Sequence, residues 1–190
     1  MKIGVLDLQG GVFEHIDHLK KLNVEVLRIK KPSQLKEISG LILPGGESTT
    51  IGKILRKMNL LDPIKEEILK GMPVWGTCAG MILLADKIQD EEDAYLKVMN
   101  IKVKRNSYGS QLDSFETYSK INNISSKKIP LIFIRAPQVI EIGDKVKVLC
   151  KLDDKIVAVK ENNMLATSFH PELSDDLEFH KYFLSMCRVK

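Results

Sequence analysis

The stretch VWGTCAGMILLA, residues 74–85, joins two apolar runs through the short sequence Gly-Thr-Cys-Ala-Gly. The first run predicts a buried strand and the second predicts a helix, so that Cys78 falls on the turn between them. Gly76 and Gly80 stand two residues before and two residues after Cys78, which leaves room for a sharp turn. The pattern is typical of a nucleophile elbow, in which a helix N-terminus favours the thiolate. A small buried cysteine beside helix-packing glycines is the alternative interpretation.

On either side of this turn, the first half of the chain alternates apolar, β-branched runs with helical patterns. Strands are predicted over residues 2–8, 24–29, 40–46 and 73–77, and helices over residues 12–22, from Ser48, over 62–71 and over 79–88. The third of these helices has Asp62 as its predicted N-cap, Pro63 at its first position and Gly71 past its end. The alternation predicts an α/β fold with a mostly parallel sheet covered by helices on both faces.

The second half of the chain has mainly strand patterns, which predict an antiparallel extension of the sheet. These strands are predicted over residues 100–105, 116–121, 130–136, 145–152, 155–161 and 164–170. A closing helix is predicted from Ser174 to about Met186, with Asp175 and Asp176 in its first turn. No repeat, low-complexity tract or linker interrupts the sequence, so residues 1–190 are expected to form a single domain.

The composition of the 190 residues is that of an ordinary globular protein, with 44% hydrophobic and 28% charged residues. The formal net charge of +4 comes from scattered lysines, and the densest basic patch, residues 28–31, favours a solvated loop over a nucleic-acid surface. No apolar run is long enough to span a membrane. The three cysteines form no CxxC pair and the chain has no signal-peptide pattern, so a cytoplasmic location is expected.

A cysteine nucleophile needs a base, and the base needs a group that orients it. His170 is the candidate among the four histidines, because it ends a predicted strand in the sequence Ser-Phe-His-Pro-Glu-Leu. In an extended segment His170 and Glu172 point to the same side, which would complete a Cys-His-Glu triad; a plain strand-end turn is the alternative. His15 and His18 are expected on a solvated helix face, and His180 is expected at the surface.

The sequence LPGGESTT, residues 43–50, places consecutive glycines at the end of another predicted strand and just before a helix. Backbone N–H groups in such a turn can hold a phosphate or can serve as a second oxyanion donor. The second interpretation is favoured, since this strand end should lie beside Cys78. The sequence has no P-loop and no dinucleotide-binding fingerprint, so a nucleotide site has little support.

Gly-x-Cys-x-Gly followed far downstream by Phe-His-Pro-Glu resembles the class I, or triad, glutamine amidotransferases. Six blocks are more narrowly similar to the glutaminase subunits of pyridoxal 5′-phosphate synthase, and they occur in order over nearly the whole chain. The blocks are LQGG…EH (8–15), LILPGGESTT (41–50), GTCAGMILLA (76–85), RNSYGSQ (105–111), FIRAP (133–137) and SFHPEL (168–173).

This resemblance implies a reaction and a set of site residues. Cys78 would attack the side-chain amide of glutamine, His170 would protonate the departing ammonia and then activate water, and Glu172 would hold the imidazole. The other implied residues form the oxyanion hole (Gly46 and Ala79) and hold the amino-acid end of glutamine (Gly46, Glu47, Ser48, Arg105, Ile134 and Arg135). The ammonia would pass to a separate synthase subunit that makes pyridoxal phosphate, so no cofactor and no metal are expected in this chain.

Some positions depart from the pattern of that family. Ser110 replaces an expected arginine, Asp7 stands where a small residue is usual, and residues 92–100 lack an expected glycine. None of them belongs to the triad, but they leave the partner contacts and the surface near residue 110 open. The rival interpretations are an amidotransferase subunit of histidine or purine synthesis, a stand-alone cysteine hydrolase and a non-enzymatic binding module.

Overall fold

The computed structural model describes residues 1–106 and 114–188, and within these residues ten strands form one sheet and two form another. The strands are β1 (Lys2–Leu6), β2 (Glu25–Ile29), β3 (Gly40–Leu43), β4 (Val74–Thr77), β5 (Ala85–Ile88), β6 (Met99–Lys104), β7 (Ser114–Lys120), β8 (Lys128–Ile134), β9 (Gln138–Ile142), β10 (Lys147–Leu152), β11 (Lys155–Glu161) and β12 (Met164–Thr167). The helices are α1 (Val12–Lys21), α2 (Ser48–Lys57), α3 (Leu61–Leu69), α4 (Ala79–Leu84) and α5 (Glu178–Arg188). Within the described ranges, no helix has the length and apolar character needed to cross a membrane.

Five neighbouring strands of the large sheet are parallel and place the predicted site at one edge. Their order is β2-β1-β3-β4-β12, and each pairs with its neighbour in parallel. In the register of this sheet, Leu43 of β3 and Ala166 of β12 both pair with Gly76 of β4. The carboxyl ends of these three strands therefore lie side by side, which is where parallel α/β sheets build their sites.

β11, β10, β9 and β6 form the predicted antiparallel extension. β11 pairs with β12, β9 and β10 in antiparallel fashion, and β9 does the same with β6. The separate sheet is an antiparallel pair of β7 and β8, with Phe115 opposite Phe133. The extension agrees with the prediction from the second half of the sequence, except that the strands predicted over residues 116–121 and 130–136 form the separate sheet.

Helices cover both faces of the sheet, and alternate residues of one strand enter different cores. Leu41 and Leu43 of β3 join a core with helices α2, α3 and α4, whereas Ile42 between them joins a core with α1, α5 and the β7–β8 sheet. Trp75 of β4 is fully buried in this second core. The near-continuous burial of β3 and β4 is the expected pattern for parallel strands that are covered on both sides.

The stretch that follows the elbow differs from its prediction. The helix predicted over residues 79–88 ends at Leu84, and Ala85–Ile88 form β5, which pairs in parallel with β6. β9, which lies between β11 and β6, also has no counterpart among the predicted strands. Pairing with strands that are distant in sequence overrides the helical pattern of the apolar run, as tertiary context often does.

Two helix starts also differ from their predictions. The N-cap of α3 is the fully buried Leu60 rather than Asp62, because apolar packing extends the helix toward its N-terminus. The closing helix begins at Glu178 rather than at Ser174, and its first turn contains Glu178 as the acidic residue. The side chain of Asp176 accepts the N–H of Glu178 at 2.9 Å. Such a contact satisfies an N–H that has no partner within the helix, and it therefore favours a helix that starts after Asp176.

Asp7, which stands where a small residue is usual, is paired in the fold. Its Oδ2 lies 2.6 Å from Nε of Arg28 and 3.2 Å from Nζ of Lys30. Partial burial by itself would raise the pKa of Asp7, but hydrogen bonds from the two cations outweigh this and lower it. The departure at residue 7 is therefore matched by the basic patch on the neighbouring strand.

Candidate active site

Cys78 lies on the turn between β4 and α4, with φ of 49° and ψ of −103°. A positive φ is uncommon for residues other than glycine, and such strain is concentrated at functional sites. The N–H of Cys78 donates to the carbonyl of Thr167 at 2.8 Å, which fixes the turn against β12. A Cβ at Gly76 would overlap the backbone of Gly80, and a Cβ at Gly80 would overlap the carbonyl of Leu43. Both glycines are therefore required by the close packing of the turn.

His170 is held between Cys78 and Glu172. Its N–H donates to the carbonyl of Ile132 at 2.8 Å, which fastens its backbone to β8. Its Nδ1 lies 2.8 Å from Oε1 of Glu172, which leaves Nε2 for the thiol. Burial alone would lower the pKa of His170, but interactions with Cys78 and Glu172 outweigh it and raise the pKa to about 10. A Cβ at Gly45 would overlap this imidazole, so glycine is required there too.

Glu172 reaches His170 through a tight turn rather than through the extended segment that the sequence predicts. β12 ends at Thr167, and Pro171–Leu173 form a single 3-10 turn. The carboxylate of Glu172 is fully buried, with Oε1 on His170 and Oε2 located 3.5 Å from Nε2 of His15. A buried anion beside the ring favours the imidazolium form of His170.

Cys78 and His170 open into a cavity of about 400 Å³. It is lined by Gln9, Gly46, Glu47, Ser48, Cys78, Ala79, Ile82, Arg105, Asn106, Ile134, Arg135 and His170. The structure thus brings every residue predicted for the oxyanion hole and for glutamine binding together with Cys78 and His170 around one space. Three lining residues, Gln9, Ile82 and Asn106, have no predicted role. Gln9 and Asn106 lie inside the quoted blocks LQGG…EH and RNSYGSQ, which was the signal available for them.

The glycine turn after β3 is fixed by three hydrogen bonds from outside it. The N–H of Gly45 donates to Oγ1 of Thr77 at 2.9 Å, and the N–H of Gly11 donates to the carbonyl of Gly45 at 3.1 Å. The N–H of Glu47 donates to Oε1 of Gln9 at 2.7 Å. The segment between β1 and α1 therefore sets the orientation of the peptide bond that precedes Gly46.

Glu47 caps α2 as well as lining the cavity. Its carboxylate accepts the N–H of Thr49 at 3.1 Å and the N–H of Thr50 at 2.6 Å. Partial burial would raise the pKa of Glu47, but the hydrogen bonds from Thr50 and Thr49 outweigh it and lower the pKa. The side chain is accordingly a charged helix cap at the rim of the site.

Arg105 is anchored at the opposite wall by helix α2 and by the loop between β5 and β6. Its Nη1 donates to Oγ of Ser48 at 2.8 Å and to Oγ1 of Thr49 at 3.0 Å. Its Nε lies 2.6 Å from Oε1 of Glu91, and its Nη2 donates to the hydroxyl of Tyr95 at 3.1 Å. These contacts hold the guanidinium in place before any ligand is bound. Residues 107–111 of the RNSYGSQ block, including Ser110, lie outside the described residues.

The end of β8 closes the cavity near the thiol. Sγ of Cys78 lies 3.9 Å from the carbonyl oxygen of Ile134, and Arg135 follows with φ of 41°. Both side chains are exposed at the cavity wall. The small β7–β8 sheet therefore contributes part of the cavity wall and also covers one of the two hydrophobic cores.

The other three histidines are buried, which corrects the prediction that they face solvent. His15 and His180 are fully buried and His18 is 3% exposed. The sequence did not predict their burial, because histidine is a polar residue that is expected at the surface. His15 nevertheless falls in the apolar stripe of α1 between Val12 and Ile16. Within residues 1–106 and 114–188, no group of three or more His, Cys, Asp or Glu side chains could hold a metal ion.

Comparisons with known proteins agree over nearly the full length. A model of the SNO glutamine amidotransferase family matches residues 5–189. A Clostridium kluyveri protein named pyridoxal 5′-phosphate synthase subunit PdxT is 57% identical over 188 residues, which are 99% of this chain and 100% of that protein. The protein of the same name from Streptococcus pneumoniae is 49% identical, and the match covers 100% of this chain and 99% of that protein.

Solved structures confirm the fold. A crystal structure described as a glutamine amidotransferase superposes with a TM-score of 0.93 at 40% identity, covering 98% of this chain and 99% of the other. A putative GMP synthase subunit from Thermoplasma acidophilum has a TM-score of 0.70 at 18% identity, covering 98% of this chain and 94% of the other, and shares the fold. The predicted class I amidotransferase-like architecture is therefore confirmed.

Proposed function

Since the chain belongs to the SNO glutamine amidotransferase family, it is an enzyme that acts on the side-chain amide of glutamine, and we propose that Cys78, His170 and Glu172 carry the reaction. The products are L-glutamate and ammonia. The observation that carries this assignment is the placement of His170 between a buried carboxylate and a cysteine at the wall of a cavity. A structural cysteine beside packing glycines has no need of such a partner.

The reaction proceeds through a thioester. The Cys78 thiolate attacks the amide carbon of glutamine, and the carbonyl oxygen becomes an oxyanion whose donors are the N–H of Ala79 and, once the synthase subunit has docked, the N–H of Gly46. The His170 imidazolium gives its proton to the amide nitrogen, so that the C–N bond breaks and ammonia leaves. His170 then takes a proton from water, whose oxygen attacks the thioester and releases glutamate and the thiolate. Glu172 stabilises the imidazolium in both steps.

The two guanidinium groups of the cavity recognise the amino-acid end of glutamine. Arg105 and Arg135 suit the α-carboxylate, because a guanidinium fork pairs with both oxygens of a carboxylate. Arg105 is already anchored to Ser48 and Glu91, so little ordering is required when glutamine binds. Glu47 supplies a negative charge at the same rim for the α-ammonium.

The test of the triad is a coupled assay of glutamate and ammonia with Cys78→Ser and the matched control Cys150→Ser. Cys150 is buried elsewhere and its thiol lies 3.9 Å from the hydroxyl of Ser119. Cys78→Ser should lose nearly all activity, because a serine hydroxyl ionises far less than a thiol. Cys150→Ser should keep it. Full activity in Cys78→Ser would overturn the assignment.

The ammonia passes to the synthase subunit of pyridoxal 5′-phosphate synthase, the assembly named for the relatives in Clostridium kluyveri and Streptococcus pneumoniae. Ammonia released to water at neutral pH is mostly protonated and is then useless as a nucleophile, so delivery within a complex suits the chemistry. Pyridoxal phosphate is the product of the partner, and this chain needs no cofactor. We place the complex in the cytoplasm, where cysteines remain reduced.

Docking of the synthase subunit completes the oxyanion hole in this proposal. The peptide bond before Gly46 lies in a turn of consecutive glycines, where rotation meets little steric cost. In the structure its carbonyl, that of Gly45, accepts the N–H of Gly11, so the segment before α1 controls the orientation. A donor that acts in the transition state should change kcat rather than KM.

The partner-dependence is tested by steady-state kinetics with and without the synthase subunit. The wild-type chain should show a higher kcat with the partner present, and Gly46→Val should suppress that gain more than it raises KM. Equal kcat values under the two conditions would contradict the coupling while leaving the triad in place.

A further inference from the structure

Three buried histidines lie on the side of Glu172 that faces away from His170. Nδ1 of His15 is 3.0 Å from Nε2 of His180, and Nδ1 of His180 is 3.2 Å from Nδ1 of His18. The hydrolysis described above uses none of these three rings. They form a continuous row from the catalytic carboxylate through His180, near the start of α5, to His18 of α1.

Glu172 lines a cavity other than the one that holds Cys78 and His170. The substrate cavity holds Cys78 and His170, whereas Glu172 and His18 line a second cavity of about 640 Å³. The second cavity has a wall of carboxylates that includes Glu14, Asp17 and Asp175. The row of histidines therefore begins at the carboxylate and ends at the edge of the same acidic cavity.

The second oxygen of the Glu172 carboxylate needs a donor. Oε2 is buried and has no hydrogen bond of ordinary length to any described residue. Nε2 of His15 faces it at 3.5 Å and lies 3.3 Å from Oγ1 of Thr77. An anionic oxygen without a hydrogen-bond donor is unfavourable in the protein interior. A small shortening of the distance between Nε2 of His15 and Oε2 would provide that donor.

The contacts between the rings assign their hydrogens. Each contact joins two ring nitrogens, of which one must carry a hydrogen and the other must not. Since a carboxylate only accepts, a hydrogen bond to Oε2 requires the hydrogen on Nε2 of His15, and its Nδ1 then accepts from Nε2 of His180. Nδ1 of His180 then accepts from Nδ1 of His18. This assignment leaves His15 and His180 neutral, and burial agrees with it by lowering the pKa of each well below the usual value.

We propose that His15 is a positioning residue for the glutaminase reaction, which donates to Oε2 of Glu172 and holds the carboxylate against His170, with its tautomer set by His180 and His18. The proposal rests on the function assigned to the triad above. A carboxylate that is held by both oxygens keeps the geometry in which the imidazolium is stabilised. His15 acts through Glu172 and does not touch the reacting atoms.

The test compares two substitutions at each of two positions, in the complex with the synthase subunit. His15→Leu and His180→Leu remove the hydrogen bonds with little change in volume. His15→Gln and His180→Gln keep an N–H near the position of Nε2. His15→Leu should lower kcat about tenfold or more, as expected for loss of a hydrogen bond to a charged group, with KM within about twofold of the wild-type value. His180→Leu should show a smaller loss of kcat, and each Gln variant should recover most of it.

Melting curves of each variant separate positioning from folding. If kcat follows the melting temperature and Leu and Gln variants lose activity equally, the histidines are structural and the proposal is wrong. The same conclusion follows if His15→Leu and His180→Leu are folded and keep the wild-type kcat. A variant that fails to fold is replaced in the comparison by its Gln counterpart and by the variants at the other position. Cys78→Ser is included throughout, because its activity tests the triad independently of the histidine row.

Discussion

His170 and His15 face the same carboxylate from opposite sides and have opposite electrostatic states. His170 lies 2.8 Å from Oε1 of Glu172, and its interactions with Cys78 and Glu172 raise its pKa to about 10 in spite of burial. His15 lies 3.5 Å from Oε2, and full burial next to other histidines lowers its pKa well below the usual value. A single carboxylate therefore does not stabilise the protonated form of both histidines that face it.

The contact with Cys78 distinguishes His170 from His15. His170 has the thiol of Cys78 on its other nitrogen and opens to a cavity, so its positive charge is stabilised from two sides. His15 has His180 on its other nitrogen, and a proton there would repel any charge on the next ring. The charged half of the site is confined to the side where substrate binds, and the neutral half serves as its support.

The largest effect is expected from breaking the charged half at His170. His170→Ala removes both the acid and the base and should lower kcat on the order of 10⁴-fold. The circular dichroism spectrum should be unchanged. A kcat within tenfold of the wild-type value in a folded variant would show that another group moves the proton.

A somewhat smaller loss is expected when the shared carboxylate is neutralised. Glu172→Gln keeps the shape but loses the charge that stabilises the imidazolium, and kcat should fall on the order of 10³-fold. The pKa of His170, measured by NMR titration, should move down from about 10, while His15 stays neutral. A wild-type rate would remove Glu172 from the triad.

The three thiols should differ in reactivity by the same logic. A diazo-ketone analogue of glutamine should modify Cys78 and spare Cys150 and Cys187. Burial raises the pKa of Cys150, and it raises the pKa of Cys187 to about 12, so neither forms the thiolate near neutral pH. Peptide mass spectrometry after labelling measures the outcome, and equal labelling of all three thiols would count against the elbow.

The smallest effect is the pH dependence of stability, which should have opposite signs in the two halves. His180, like His15, has a lowered folded pKa, so its contribution is present above the unfolded value of about 6.5 and is lost as the pH falls below it. His170 has a raised pKa of about 10, so its contribution is present below about 6.5 and is lost as the pH rises toward 10.

Urea unfolding at a series of pH values measures this difference. His180→Leu should lose acid-side slope, by up to about 1.4 kcal/mol per pH unit for one histidine. His170→Ala should flatten the alkaline side only. Parallel curves for wild type and His180→Leu below pH 6 would show that His180 already titrates in the folded protein.

The sequence predicts the charged half of the site well, because that half follows from the ends of parallel strands. Gly46, Cys78 and His170 come after β3, β4 and β12, and parallel strands bring their carboxyl ends together whatever lies between them. A similarly local signal is the pair Asp153-Asp154 between two predicted strands, which is typical of a hairpin turn, and both residues have the positive φ that such turns need.

The neutral half could not be predicted in the same way. His15 and His180 are 165 residues apart, and only the packing of α1 beside α5 brings their rings together. Their burial could not be predicted, because a ring with two polar nitrogens is expected at the surface unless its hydrogen-bond partners are known. The helix predicted over residues 85–88 was wrong for a related reason, since Ala85–Ile88 become a strand only through pairing with β6.

The hydrogen bond from His170 to the carbonyl of Ile132 links catalysis to the motions of a small hairpin. Within the described residues, β8 pairs only with β7, and a two-stranded sheet is marginal by itself. Each transient opening of that hairpin would release the His170 backbone along with the wall formed by Ile134 and Arg135. Exchange of the His170 amide proton with deuterium should therefore require opening of this hairpin, so that the protection of one backbone N–H reports the free energy of opening at the active site.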